Sequence, residues 1–307
     1  MKILFMGTPD FAVESLKCLI NSKHVVSAVV TQPDKRRNRG KVSFSPVKEI
    51  ALNSDIEIIQ PFNIKNNEDF IEKIKAIEFD LIVVVAFGQI LPKKVLEIPR
   101  YGCINVHGSL LPKLRGASPI HHAILNNEEY TGISIMKMEE GLDSGPIYSI
   151  AKTKIDNKYI EELHDELSVM GGKLLIKTID KIEYEGLEPK EQNHKISTYA
   201  PIISKVDGQI NFNENADYIQ RKIRAFNTWP GAYANLDGKT YKFFRSDYIS
   251  TNSLACNGEI IGVDDAITVK CKQGAIKITE IQAQGKKRMK VSEFIKGNQI
   301  KIGMKFE

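Results

Sequence analysis

Asp80-Leu81-Ile82-Val83-Val84-Val85-Ala86-Phe87 is the stretch on which the fold turns. A continuously apolar, β-branched run offers water no polar face, so it reads as a strand covered on both sides, the central place in a parallel sheet. Upstream, Lys2–Met6 is a second buried strand, and Phe11, Leu16, Leu19 and Ile20 recur after it at helical spacing. Val25–Thr31 is a further strand. Ser45-Pro46 supplies an N-cap and a proline at the first helical position, opening a helix to about Asn53. Helical patterns follow over 66–77, 118–126 and 159–184, with strands at Cys103–His107 and Thr131–Met138. Such alternation predicts a doubly wound, mostly parallel Rossmann-like α/β sheet over residues 1–186.

The pattern changes beyond Gly186. Residues 187–204 are polar, contain Pro189 and Pro201 and show no period, so they read as a linker. From 205 to 307 one helix near Asn215–Ala225 precedes short strands. Asp237-Gly238 between Ala232–Leu236 and Lys239–Arg245 is a hairpin signal. A second hairpin is expected around Lys272-Gln273-Gly274. A small β-barrel of the oligonucleotide-binding (OB) type fits this spacing.

Charge is unevenly distributed along the chain. Lys270 to Glu307 holds ten Lys or Arg against three Asp or Glu, a net of +7, while the preceding 269 residues hold 33 against 35, a net of −2. A basic module on a near-neutral body suits either a polyanionic partner or a merely solvated lysine-rich surface. The longest apolar run, Leu81 to Phe87, is too short to span a bilayer, and the N-terminus lacks a signal or transit pattern, so a cytoplasmic location is expected. Cysteines at 18, 103, 256 and 271 have neither zinc-site nor disulfide-framework spacing, and the six histidines show no metal-ligand pattern, so no metal is expected.

Met6-Gly7-Thr8-Pro9-Asp10 occupies the first strand-to-helix turn, yet its single glycine and its proline argue against a dinucleotide fingerprint. Asn105 and His107, two apart on a strand, leave the same face at its C-terminal end beside Gly108. An amide donor next to an imidazole suits a reaction that builds charge on a carbonyl oxygen while a proton moves. The same spacing also fits a histidine hydrogen-bonded at a strand end with a turn-forming asparagine. Asp143, in Glu140-Gly141-Leu142-Asp143-Ser144-Gly145-Pro146, could orient the imidazole or serve only the turn. Arg36, Arg37, Arg39 and Lys41 form a cationic stretch near a strand end, suited to phosphates or to plain solvent exposure.

The stretches MGTPDFA (6–12), TQPDKRRNRGK (31–41), SPVKEIA (45–51), AFGQILP (86–92), INVHGSLLPKLRGASPI (104–120), TGIS (131–134), EEGLDSGPI (139–147) and NTWPGAYA (227–234) resemble the folate-dependent formyltransferase family over nearly the whole chain. The Asn-x-His-x-Ser-Leu-Leu-Pro motif with a downstream Leu-Asp-x-Gly is specific to formyl transfer. The resemblance implies transfer of a formyl group from 10-formyltetrahydrofolate to the amino group of methionyl initiator tRNA, by a monomer. It implies a catalytic trio of Asn105, His107 and Asp143, folate contacts at Ser109, Leu110, Leu111 and Pro112, an apolar pterin slot with Phe87, Gly88, Gln89, Ile90 and Leu91 as candidates for its wall, and tRNA contacts from Arg36, Arg37, Arg39 and Lys41. Lys113-Leu114 stand where the family commonly has Arg-Trp. A nucleotide-sugar formyltransferase or a 10-formyltetrahydrofolate hydrolase would share the trio, but neither needs the basic stretch or the basic C-terminal module. An RNA-binding module without catalysis would not need the trio, and a glycinamide formyltransferase would leave the last hundred residues without a role.

Overall fold

Strands without a polar face must be covered on both sides, and the run around Val83 is: Leu81–Val85 is buried throughout. The computed structural model describes residues 1–36, 42–297 and 300–307. They form two compact units, one of residues 1–119, 130–154 and 164–200, the other of 120–129, 155–163 and 201–307.

Chain order in the first part is β1 (Lys2–Gly7), α1 (Val13–Ile20), β2 (Val25–Val30), β3 (Lys35–Arg36), β4 (Val42–Ser43), α2 (Pro46–Asn53), β5 (Ile58–Ile59), α3 (Glu68–Lys75), β6 (Leu81–Val85), α4 (Lys93–Leu96), β7 (Cys103–His107), α5 (Pro119–Leu125), β8 (Tyr130–Lys137), β9 (Ile147–Lys154) and α6 (Ile160–Glu185). The sheet runs β5-β2-β1-β6-β7-β8-β9. Pairing is parallel as far as β7, and β8 and β9 are antiparallel additions. Strand order reverses at β1, with β2 on one side and β6 on the other. Open sheets of this kind leave a crevice at the carboxyl ends beside that reversal. The turns after β1, β6 and β7 converge there.

Both faces are packed. Leu4, Met6, Ile82, Val84 and Cys103 join Phe70, Ile71 and Ile74 of α3 and Val95 of α4 in one cluster. On the other face Gly171 of α6 lies so near β7 that an added Cβ would sit 3.0 Å from Val106, and one on Gly172 would meet the Glu14 carbonyl of α1 at 2.8 Å. Ser45 caps α2 by accepting from the Lys48 amide, as its sequence predicts. Within the stretch expected as a linker, residues 187–200 belong to the first unit: Lys190 and Ile147 exchange backbone hydrogen bonds of 2.8 Å, and Arg115 bonds Thr198 and Ala200 at 2.9 and 2.7 Å. Backbone pairing needs no side-chain period, which is why this stretch carries none.

The second unit adds α7 (Ala216–Ala225), β10 (Ala232–Leu236), β11 (Lys239–Ile249), β12 (Ile260–Val263), β13 (Ile267–Lys270), β14 (Ala275–Ala283), β15 (Met289–Lys290) and α8 (Val291–Phe294). Asp237 and Gly238, at φ 49° and 72°, turn β10 into β11 as the hairpin signal requires. The antiparallel sheet runs β10-β11-β14-β13-β12, with β15 on β14. Its edge strands β10 and β12 are joined through residues 303–307. Glu307 and Asn235 bond each other at 2.8 and 2.9 Å, Phe306 donates to Gly258 at 2.9 Å, and Met304 accepts from Ile260 at 2.8 Å. The Phe306 ring, 1% exposed, meets Phe212, Tyr241 and Phe243 with centroids at 6.0, 5.9 and 5.4 Å.

Truncating a buried aromatic leaves a cavity as well as losing its burial, so Phe306→Ala should destabilise the second unit by about 3–5 kcal/mol. Urea unfolding followed by the fluorescence of Trp229, the sole tryptophan, should show a lower midpoint; an unchanged midpoint would mean this seam contributes nothing to the core.

Candidate functional site

β7 sets the site by alternation. Val106 faces α6, so Asn105 and His107 face the other side, with Asn105 half-buried and His107 5% exposed at the strand's end. The chain then folds back on itself. Ser109 donates to the Lys113 carbonyl at 2.6 Å, while Ser134 of β8 donates to the Ser109 carbonyl at 2.8 Å and accepts from the Leu111 amide at 3.1 Å. Leu114 adopts a left-handed φ of 58°, its amide bonded to Thr198 Oγ1 at 2.9 Å. Its carbonyl thereby meets His107 Nε2 at 3.0 Å. A carbonyl can only accept, so the ring carries hydrogen at Nε2. In the neutral imidazole the lone pair is then on Nδ1.

That lone pair faces Asp143, whose Oδ2 is 3.7 Å from Nδ1, beyond hydrogen-bond length. Asp143 Oδ1 accepts a long 3.4 Å bond from Asn105 Nδ2. Its firmest contact is the Gly116 amide, which donates to Oδ2 at 2.8 Å. Glycine is required at 116 for two reasons. Its φ is 110°, and an added Cβ would lie 2.9 Å from the Ala200 carbonyl oxygen. Asp143 itself is left-handed, at φ 47°, and a Cβ on nearby Gly145 would fall 2.1 Å from the Lys137 carbonyl oxygen. The fold therefore brings Asn105, His107 and Asp143 together. An amide donor, a ring nitrogen that has no partner at hydrogen-bond distance among the described residues, and a carboxylate able to stabilise an imidazolium lie side by side.

The other candidates fall differently. Ser109 and Leu111 are buried, whereas Leu110 and Pro112 are partly exposed. Phe87 and Leu91 point into the α3-side core, and Gln89 accepts from the Ile64 amide at 3.0 Å. Gly88 and Ile90 are exposed, Ile90 by 81%. Ala86, which sequence reasoning passed over, is exposed at a left-handed φ of 46° right after β6. Arg37, Arg39 and Lys41 lie outside the described residues, as does the side chain of Arg36, whose backbone pairs with Val42. The approach to that ribbon is rooted at Asp34, which accepts from Lys48 Nζ at 2.5 Å and Gln60 Nε2 at 3.1 Å; the Lys48 bond holds its carboxyl below the usual carboxylate range.

Sequence reasoning also missed the Leu114 carbonyl, the Gly116 amide and Gln192, the last because it stands in an aperiodic stretch. Among the described residues, His24, Asp180 and Glu183 bring potential ligand atoms within 4.8 Å of one another, a grouping that sequence spacing hides. The Met1 amino group donates to Glu183 at 3.0 Å, and Asp180 lies 3.1 Å from both His24 and Lys23, so these groups are joined as an ion-pair network. Burial pushes the Cys103 thiol up to about 12 and the Cys271 thiol to about 11, as expected of packing residues.

A family model described as formyl transferase matches residues 1–179, and one described as formyl transferase, C-terminal domain, matches 202–299. The methionyl-tRNA formyltransferase of Caldanaerobacter subterraneus subsp. tengcongensis is 44% identical over 307 residues, covering 99% of each chain. That of Clostridioides difficile is 47% identical over 310 residues, again covering 99% of each. The solved N-formyltransferase of Helicobacter canadensis, in complex with folinic acid and dTDP-3-aminofucose, shares the fold with a TM-score of 0.67 at 22% identity, over 91% of this chain and 98% of that one.

Forcing a side chain into the conformation of Gly116 should cost about 1–3 kcal/mol, before the clash with Ala200 is added. Gly116→Ala should therefore lower the melting temperature measured by circular dichroism, and an unaltered melt would show that the 114–116 turn is free to relax.

Proposed function

The chain belongs to the formyl transferase family, and from that premise we propose that it transfers the formyl group of 10-formyltetrahydrofolate to the amino group of methionyl initiator tRNA, for the initiation of protein synthesis, with Asn105, His107 and Asp143 as its catalytic residues. The observation that carries this acceptor is the extent of the likeness: relatives named methionyl-tRNA formyltransferase match 99% of the chain, second unit included. The basic balance of residues 270–307 suits a polyanionic acceptor.

The donor set fits a formyl carbonyl. Asn105 Nδ2 holds a long bond to Asp143, and among the described residues His107 Nδ1 has no partner at hydrogen-bond distance, so both keep capacity for an incoming group. The folate supplies an activated formyl carbon. Ser109–Pro112 and 87–91 are the stretches proposed to hold it, with backbone groups and Ile90 available there because Phe87 and Leu91 are committed to the core.

In the reaction the neutral aminoacyl amine forms a bond to the formyl carbon, the bond from that carbon to the folate nitrogen breaks, and a proton passes from the amine to the departing nitrogen. Asn105 donates to the formyl oxygen as negative charge grows on it. His107 takes and returns the proton at Nδ1, its Nε2–H held by Leu114. Asp143, fixed by Gly116, stabilises the imidazolium during that interval.

A formyl-transfer assay offering charged initiator tRNA, a nucleotide amino-sugar or water should give product with the tRNA. His107→Ala and Asn105→Ala should each lower turnover by about 10²–10³ with folate affinity nearly unchanged; near-wild-type turnover in both would remove the assigned site. The proposed tRNA contacts have a separate test. Removing one cation from a phosphate lowers the slope of log K against log[salt] by about 0.9, so replacing Arg36, Arg37 and Arg39 by Ala should flatten tRNA binding by roughly two to three units. Parallel slopes at equal affinity would place tRNA recognition elsewhere.

A further inference from the structure

We infer that Gln192 is a positioning residue for Asp143, locking the turn that carries it to the same segment that holds His107. Gln192 is 5% exposed, and its side chain is hydrogen-bonded at both ends of the amide. Its Nε2 donates to the Asp143 carbonyl at 2.9 Å and to the Gly145 carbonyl at 2.7 Å, bracketing Ser144. Its Oε1 accepts from Arg115 Nε at 3.1 Å and Nη2 at 2.6 Å. The orientation of the amide is thereby determined. A flipped amide would set its oxygen against two carbonyls and its NH2 against a guanidinium.

Arg115 is itself immobilised. The residue is 3% exposed, its guanidinium also meets His194 Nδ1 at 3.0 Å, and its backbone bonds Thr198 and Ala200. Three consecutive residues thus hold the site from one strip of backbone. Leu114 holds His107 through its carbonyl, Gly116 holds the Asp143 carboxylate through its amide, and Arg115 holds the Asp143 backbone through Gln192. The turn needs such a brace. Residues 139–142 are largely exposed, and Asp143 sits in a left-handed conformation that side chains rarely adopt. Without Gln192 the carboxylate would keep its hydrogen bond from Gly116 but lose the backbone anchor that sets its distance from Nδ1.

This inference rests on the reading of Asp143 as catalytic, and the test separates the two. Gln192→Glu keeps an acceptor for Arg115 and similar volume, but turns a carboxylate oxygen toward the Asp143 and Gly145 carbonyls. A displacement of about 1 Å at a reacting group costs about 10²-fold in rate. Full-length Gln192→Glu should therefore lose about that factor in kcat, with KM for 10-formyltetrahydrofolate and for charged tRNA within about twofold, and should melt lower because two buried carbonyls lose their donor. Gln192→Ala should lose kcat similarly while also melting lower. In an Asp143→Asn background Gln192→Glu should add little further loss, because residues acting through one group are not additive. Wild-type kcat in Gln192→Glu, with Asp143→Asn inactive, would overturn the positioning role alone, as would losses that multiply fully in the double variant. Wild-type kcat in Asp143→Asn would overturn the site reading and this inference with it.

Discussion

The hydrogen bond from the Gly116 amide to Asp143 Oδ2, 2.8 Å long, is the contact from which the rest of the site takes its geometry. A carboxylate on an exposed turn is ordinarily free to swing into water, where it has no fixed relation to a ring 3.7 Å away. Here a backbone donor pins one oxygen, and its close approach to Ala200 is open to residue 116 because glycine lacks a Cβ. Ala200 in turn is held by Arg115. The position of the Asp143 carboxylate thus depends on main-chain pairing between two loops as well as on the Gln192 brace.

Main-chain control also governs residue 114. It meets His107 through its carbonyl, which accepts from Nε2 and which any residue type would supply. Its buried side chain fills the space beneath the turn. The same logic runs through β7. The strand is flanked by a parallel neighbour and an antiparallel one, with register set by pairs such as Asn105 with Val84 and with Met136. A one-residue slip would send Asn105 and His107 to the α6 face and Val106 to the site.

What could be read from the sequence follows from what side-chain patterns encode. The run at 81–85 announced a covered central strand because burial on both faces excludes polar residues. Asn105 and His107 were legible as a pair because a strand repeats every two residues, and Asp143 because it stood in a glycine-rich turn. The aperiodic stretch after Gly186 was harder. Its residues pair through backbone groups with Ile147 and Arg115, which leaves no alternation to detect. Gln192 was invisible for that reason. Phe87 and Leu91, candidates for a pocket wall by resemblance, are buried in the α3-side cluster beyond the end of β6 at Val85. Which side an apolar residue faces after a strand ends depends on the turn, here a left-handed Ala86, and no sequence period reports it.

Proton transfer in the proposed reaction depends on one atom, Nδ1 of His107, kept free and facing Asp143 because Nε2–H is committed to Leu114. Nitrogen NMR of the labelled imidazole, at a pH high enough for the ring to be neutral, measures this directly. The structure requires the Nε2–H tautomer, with Nδ1 showing the shift of an unprotonated ring nitrogen. A neutral ring protonated at Nδ1 would contradict it, since the atom assigned to move the substrate's proton would already hold one.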